Sequence, residues 1–122
     1  MEDKSCKTPR WRMLKAQLNN LSPSAFSQAI TKSDHPIVID VRTAEEYQLG
    51  HIPGAINISF FAYDFWDQIE ALPNDATYFV YCRTGRRSIR TCTLMRNGGF
   101  DKKRIFNMEG GWILWEKLLT TS

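Results

Sequence analysis

The chain has 122 residues, 43% of them apolar, enough for one globular domain that buries roughly two-thirds of its unfolded surface. Its net charge is +3, and five bases (Lys4, Lys7, Arg10, Arg12, Lys15) against two acids (Glu2, Asp3) place that whole excess in the first twenty residues. Three cysteines at unrelated spacings argue against a disulfide framework. With no Cys-x-x-Cys pair or Cys/His cluster they also argue against zinc, so a reducing compartment and no resident metal or cofactor are expected.

Residues 1–20 hold no apolar run of signal-peptide or membrane-span length, and nothing downstream approaches one. The expectation is a soluble, cytoplasmic protein with no membrane or nucleic-acid partner, its basic extension 1–20 a solvated tail and its folded domain at 21–122. Within the extension Trp11, Leu14 and Leu18 recur at i, i+3 and i+7, which predicts a short amphipathic helix that packs Trp11 on the domain.

Ser22-Pro23 supplies an N-cap and a proline at the first helical position, with Phe26, Ala29 and Ile30 as the apolar face of a short helix. His35-Pro36 breaks the chain. Ile37-Val38-Ile39-Asp40-Val41 is an apolar, β-branched run interrupted only by an aspartate, as expected for a central parallel strand covered on both faces. A buried Asp40 needs a partner. Thr43 to Glu46 has capping-box spacing, so a helix Ala44 to Leu49 should follow and stop at Gly50. Pro53-Gly54 then turns the chain into a second strand, Ala55 to Ser59.

The stretch Phe60 to Leu72 is the most aromatic part of the chain and breaks at Pro73-Asn74-Asp75. A buried strand Thr77 to Tyr81 follows, then a helix Arg86 to Asn97 that ends at Gly98-Gly99, a strand Arg104 to Asn107, a Glu109-Gly110-Gly111 turn and a last helix Trp112 to Leu119. Strands alternating with helices imply an open parallel α/β sheet with helices on both faces. In such sheets ligands bind beyond the carboxyl ends of the strands.

Cys82 lies at such an end, in Tyr81-Cys82-Arg83-Thr84-Gly85-Arg86-Arg87-Ser88, with a fourth arginine at Arg90. The free N–H groups and positive dipole end of the following helix should converge on it. A helix N-terminus and adjacent arginines can lower a cysteine pKa from ~8.5 to ~3.5–7.5, giving the nucleophilic thiolate at neutral pH. Gly85 can take a positive φ and curl the loop into an anion nest. Such a nest would hold a persulfide, thiosulfate, phosphate or arsenate. A cysteine at a strand end is often mere packing, but four neighbouring arginines argue against that here. Cys6 falls in the extension, and Cys92 sits ~9 Å along the helix, poorly placed to pair with Cys82. No Gly-Lys-Ser/Thr follows the glycine, which excludes an NTPase phosphate loop. Of the two histidines, His35 reads as a surface turn residue and His51 as a structural hydrogen bonder.

Three segments in order resemble the rhodanese homology domain: Ile37 to Asn57 its first signature, Tyr81 to Ser88 its active-site loop, and Gly99-Phe100 through Met108-Glu109-Gly110-Gly111-Trp112 its closing motif. The resemblance covers Leu21 to Leu119. It implies a single rhodanese-like domain with an open, parallel, five-stranded sheet flanked by helices on both faces. The implied activity is sulfur transfer from thiosulfate or a persulfide donor, through a Cys82 persulfide, to cyanide or a thiol on a small molecule or protein. The loop residues Arg83, Thr84, Gly85, Arg86 and Arg87 would then bind the donor and cradle the persulfide. Asp40 and Arg42 would brace the loop and pair with Glu46, Gly110, Gly111 and Trp112 would form turn and core, and Tyr63 or Trp66 would shape access. Related phosphatases and arsenate reductases resemble Cys-x5-Arg, whereas Cys82 and Arg87 are spaced as Cys-x4-Arg, a smaller ring that suits sulfur better. The alternatives are a non-catalytic interaction module, in which the cysteine is often missing, and a cysteine-dependent phosphatase or arsenate reductase.

Overall fold

The computed structural model describes residues 9–121, so the expectation for Cys6 lies outside the described residues. Five strands, β1 (Asn19–Leu21), β2 (Pro36–Asp40), β3 (Ile56–Asn57), β4 (Thr77–Tyr81) and β5 (Ile105–Met108), form one sheet in the order β1-β5-β4-β2-β3. Every neighbouring pair is parallel. The helices α1 (Arg10–Lys15), α2 (Pro23–Lys32), α3 (Ala44–Leu49), α4 (Phe65–Glu70), α5 (Arg86–Asn97) and α6 (Gly111–Thr121) connect and flank the strands. This is the implied five-stranded parallel architecture. Among the described residues no helix is long and apolar enough to cross a membrane.

Alternation along the strands divides the core into two layers. Ile39, Val41, Tyr78, Val80 and Ile105 meet Phe65 and Ile69 of α4 and Cys92 and Met95 of α5. On the other face Val38, Phe79, Tyr81 and Met108 meet Phe26 of α2 and Trp115 of α6. Coverage on both sides is why β2 reads as an unbroken apolar run rather than an alternating one. Phe26 stands edge-on to Phe79, ring centroids 5.5 Å apart, and pins α2 to the central strand.

Local signals act where expected. Ser22 Oγ accepts the Ala25 N–H at the start of α2, with Pro23 in the first turn. Thr43 and Glu46 make both bonds of a capping box at α3. Other bounds differ. β3 is only Ile56–Asn57, because the Asn57 side chain bonds the carbonyls of Asp40 and Arg42 and Ile58 N–H bonds that of Asp40, which ends regular pairing. β5 begins at Ile105 after a 3-10 turn (Lys102–Arg104) capped by Asp101. β1 has no counterpart in the residue-by-residue reading: it is a three-residue edge strand paired only with β5.

Candidate active site

β4 ends at Tyr81, and Cys82 opens the turn that leads into α5. The turn curls through Gly85, the helix N-cap, whose φ of 107° lies in the left-handed region that glycine alone enters freely. That curl brings two backbone donors onto one sulfur: the N–H of Gly85 reaches Cys82 Sγ at 3.0 Å and that of Ser88 at 3.4 Å. As a thiol, Cys82 donates in turn to Ser88 Oγ at 3.5 Å, while the Ser88 hydroxyl donates to the Gly85 carbonyl at 3.1 Å. The site therefore accommodates both the thiol and the anion. The sulfur takes the place of a capping oxygen at the third residue of α5, so it meets the positive end of that helix. Ser88 is the position at which a phosphatase-type loop would place its arginine. Its part in the cradle escaped the sequence reading, which closed the ring at Arg87; a serine at the third residue of a helix with no capping side chain was the available signal.

A second helix fixes the loop from below. The N–H groups of Trp112 and Ile113, in the first turn of α6, donate to the carbonyls of Cys82 (2.8 Å) and Arg83 (3.2 Å). In a trans peptide the N–H points opposite to the C=O, so this grip turns the N–H groups of Arg83 and Thr84 away from α6. Among the described residues the N–H groups of Arg83, Thr84, Arg86 and Arg87 have no acceptor, which leaves one loop with four free donors. Gly111 makes the grip feasible: its φ is 65°, and a Cβ there would lie 2.4 Å from the Arg83 carbonyl oxygen. Gly111→Ala is expected to cost ~1–2 kcal/mol from the left-handed backbone, with a further ~1–3 kcal/mol from the forced displacement. Chemical unfolding measures the total, and a variant as stable as the parent would show that α6 can leave the loop without penalty.

The arginines separate. Arg86 stacks its guanidinium 4.2 Å from the Trp11 ring centre, on α1. Arg87 lies over Phe61 (5.5 Å) and pairs with Glu46 Oε1 at 3.2 Å. Arg83 is exposed, with no partner among the described residues. The expected pairing of Arg42 with Glu46 is thus corrected: Glu46 takes Arg87, while Arg42 pairs with Asp40. Burial tends to raise the Glu46 carboxyl, but the Thr43 N–H and the Arg87 guanidinium outweigh it and hold the group below its ordinary range. A carboxyl depressed in the folded state stabilises fully above its unfolded value of ~4.3, and that contribution fades as pH falls through the lower folded value. Glu46→Gln should accordingly be less stable than the parent at pH 7 by about 1 kcal/mol or less. The two unfolding midpoints should converge as the medium is acidified below ~4; a gap that persists there would contradict the ion-pair origin.

Asp40 is fully buried, and its carboxylate is saturated. Oδ1 accepts the Arg42 backbone N–H (2.9 Å) and Nε (3.0 Å), and Oδ2 accepts Arg42 Nη2 (2.7 Å) and the Tyr81 hydroxyl (2.7 Å). Arg42, itself 3% exposed, spends a further N–H on the Gly50 carbonyl at 2.6 Å and lies 4.7 Å from the Trp112 ring centre. Burial would weaken its proton affinity, but Asp40 more than compensates, so Arg42 stays a cation. Burial pushes the Tyr81 phenol up despite the Ile52 N–H it accepts, keeping it a donor to Asp40. The pair touches the loop through two neighbours: Tyr81, which precedes Cys82, and Trp112, whose N–H holds the Cys82 carbonyl.

Cys92 is fully buried in the α5 face of the core, and burial followed by the nearness of Cys82 pushes its thiol far up, which leaves it neutral. His51 Nδ1 lies 2.9 Å from the Tyr47 carbonyl, with its ring stacked on Tyr47 at 3.8 Å, and His35 is exposed beside Asp75. Of the aromatic stretch, Phe65 is core, Trp66 is half-buried against it, and Tyr63 is fully exposed.

The rhodanese-like domain family matches residues 22–118. The chain belongs to that family. Among its relatives, YtwF of Bacillus subtilis, named as a sulfurtransferase, is 33% identical over 100 residues, covering 82% of this chain and 92% of YtwF. The Sulfurtransferase of Allochromatium vinosum is 27% identical over 100 residues, covering 82% and 90%. A rhodanese-related protein of Thermoplasma volcanium superposes with a TM-score of 0.70 at 25% identity, covering 82% of this chain and 92% of that one. These relatives support a sulfur-transfer role for the rhodanese-like domain.

Proposed function

We propose that the protein is a sulfurtransferase in which Cys82 carries the sulfur. The thiolate attacks the outer sulfur of thiosulfate, the bond between that sulfur and the sulfonate breaks, and sulfite leaves with the electron pair. The product is a Cys82 persulfide. A persulfide donor would load the same atom by the same displacement, with its thiolate as leaving group. In the second half, an acceptor thiolate or cyanide attacks the outer sulfur and Cys82 departs as thiolate.

The observation that carries this reading is the double backbone donation from Gly85 and Ser88 onto Cys82 Sγ. It favours the anion before attack and again as the leaving group, without a general base. That fits a site whose two histidines are engaged elsewhere. The N–H groups of Arg83, Thr84, Arg86 and Arg87, without acceptors among the described residues, supply donors for the negative charge that develops on sulfite, and the exposed Arg83 guanidinium has no carboxylate partner among those residues. Arg87 is the less available cation because Glu46 already balances it.

Intact-protein mass spectrometry after thiosulfate treatment tests the proposal. One added sulfur atom, released as thiocyanate on addition of cyanide, is the expected result. No adduct and no thiocyanate would overturn it, and Cys82-dependent turnover of an aryl phosphate would favour the phosphatase alternative.

A further inference from the structure

Four arginines follow Cys82 between residues 83 and 90, and among the described residues only Arg87 meets a carboxylate. Arg83 and Arg90 are exposed without a partner there, and Arg86 meets the ring of Trp11. Arg87 is engaged twice. Its Nη1 lies 3.2 Å from Glu46 Oε1, and its guanidinium stands 5.5 Å from the Phe61 ring centre.

The carboxylate is built into place. Glu46 is the third residue of α3, and its Oε1 also accepts the Thr43 N–H at 2.9 Å and the Thr43 hydroxyl at 3.2 Å. The capping box therefore fixes the acid beyond the carboxyl end of β2, beside the strand β4 whose following helix presents Arg87. The Arg87 and Glu46 side chains are 21% and 26% exposed, so salt screens their attraction less than that of a surface pair. Burial would raise the Glu46 carboxyl, but the Thr43 N–H and Arg87 outweigh it, and the group is charged at neutral pH.

Charge at this place bears on the choice of sulfur donor. Thiosulfate brings two negative charges to the loop, whereas a persulfide or an alkyl thiosulfonate brings one. Coulomb energy scales with the charge of the incoming ion, so an unbalanced cation favours the dianion and an unbalanced carboxylate disfavours it. A neutral pair does neither.

We infer that Glu46 is a specificity-determining residue: by neutralising Arg87 it keeps that cation out of donor selection, so that singly charged sulfur donors compete with dianionic thiosulfate. This rests on the reading of Cys82 as the sulfur carrier. Glu46 touches no reacting atom and acts through Arg87. Either class of donor loads the protein by the same displacement. The Cys82 thiolate attacks the outer sulfur, the bond from that sulfur to its sulfonyl or thiol partner breaks, and sulfite, a sulfinate or a thiolate leaves with the electron pair. No oxidant or reductant is consumed.

The experiment measures second-order rate constants for Cys82 persulfide formation, by intact-protein mass spectrometry, with thiosulfate and with methanethiosulfonate, which carries one charge fewer. Differences between the leaving groups cancel when each variant's ratio of the two constants is set against the parent's. Glu46→Gln keeps an acceptor for the Thr43 N–H but loses the charge, and it should raise the thiosulfate-to-methanethiosulfonate ratio about fivefold; Arg87→Gln, which leaves the carboxylate unbalanced, should lower it about fivefold. The double variant is neutral again and should return to the parent's ratio. Both single shifts should shrink in ~1 M salt, where the screening length is about 3 Å. Thr43→Val disturbs the capping box without changing charge and should leave the ratio where it is.

An unchanged ratio in both single variants overturns the inference. So does a double variant as low as Arg87→Gln, because the guanidinium would then bind the donor itself, or a Thr43→Val shift as large as that of Glu46→Gln. Should one single variant fail to fold, the other decides together with its salt dependence. If neither donor loads the parent, the sulfurtransferase reading falls and this inference with it, whereas loading with an unchanged ratio overturns this inference alone.

Discussion

Serine in place of Cys82 is expected to abolish loading by thiosulfate outright while leaving the domain folded. The hydroxyl is smaller than the thiol but can still accept the N–H of Gly85 and bond Ser88, so the turn keeps its internal partners. What is lost is the nucleophile. An alcohol is a far weaker acid and a far poorer sulfur-attacking nucleophile than a thiol. The site holds no histidine to remove the proton in the serine variant, since His51 is bonded to Tyr47 and His35 stands beside Asp75. Mass spectrometry should find no added sulfur, and unfolding should be shifted by about 1 kcal/mol or less, within the range of small core changes. An adduct formed at the parent's level would move the carrier away from Cys82.

Asp40→Ala is expected to produce the largest stability loss, about 3–5 kcal/mol, because it leaves the Arg42 cation buried without its counter-charge. Arg42 cannot shed its proton, and at 3% exposure it cannot reach water without opening the packing under Trp112. The Tyr81 hydroxyl loses its acceptor at the same time. Urea unfolding reads the loss. Pairing Asp40→Ala with Arg42→Met should recover a large part of it, since removing both charges is far less costly than removing one. A single variant within 1 kcal/mol of the parent would show that the pair does not hold this end of the sheet, by the usual scale of single substitutions.

The two carboxyl-end loops that build the site were legible in the chain. Their signals are local: a β-branched run ending in Asp40, a capping box at Thr43 and Glu46, and a cysteine, glycine and helix in immediate succession. β1 was not legible, because Asn19-Asn20-Leu21 has neither β-branched residues nor the length to alternate. It is a strand only because the Asn19 side chain bonds the carbonyls of Lys102 and Ile105 and draws the segment against β5. The partner of Glu46 was misread for a related reason. Sequence proximity favours Arg42, four residues away, but Arg42 points into the sheet toward Asp40, and the cation that reaches Glu46 comes from α5. The roles of Ser88 and Gly111 depend on contacts with Cys82 and Arg83 that no local pattern announces.

The first turn of α6 offers its N–H groups to the carbonyls of Cys82 and Arg83, and a contact of that kind is symmetrical. Whatever reorients those two peptide planes must also displace the C-terminal helix, and whatever displaces the helix must re-aim the donors of the loop. Their positions are one variable rather than two, and any free energy stored in one is felt by the other in equal measure. Trp112, which begins that helix and rests on the Arg42 guanidinium, ties the same variable to the buried pair at the end of β2. The loop is therefore better regarded as the moving end of a lever whose fulcrum is buried than as an independent surface turn.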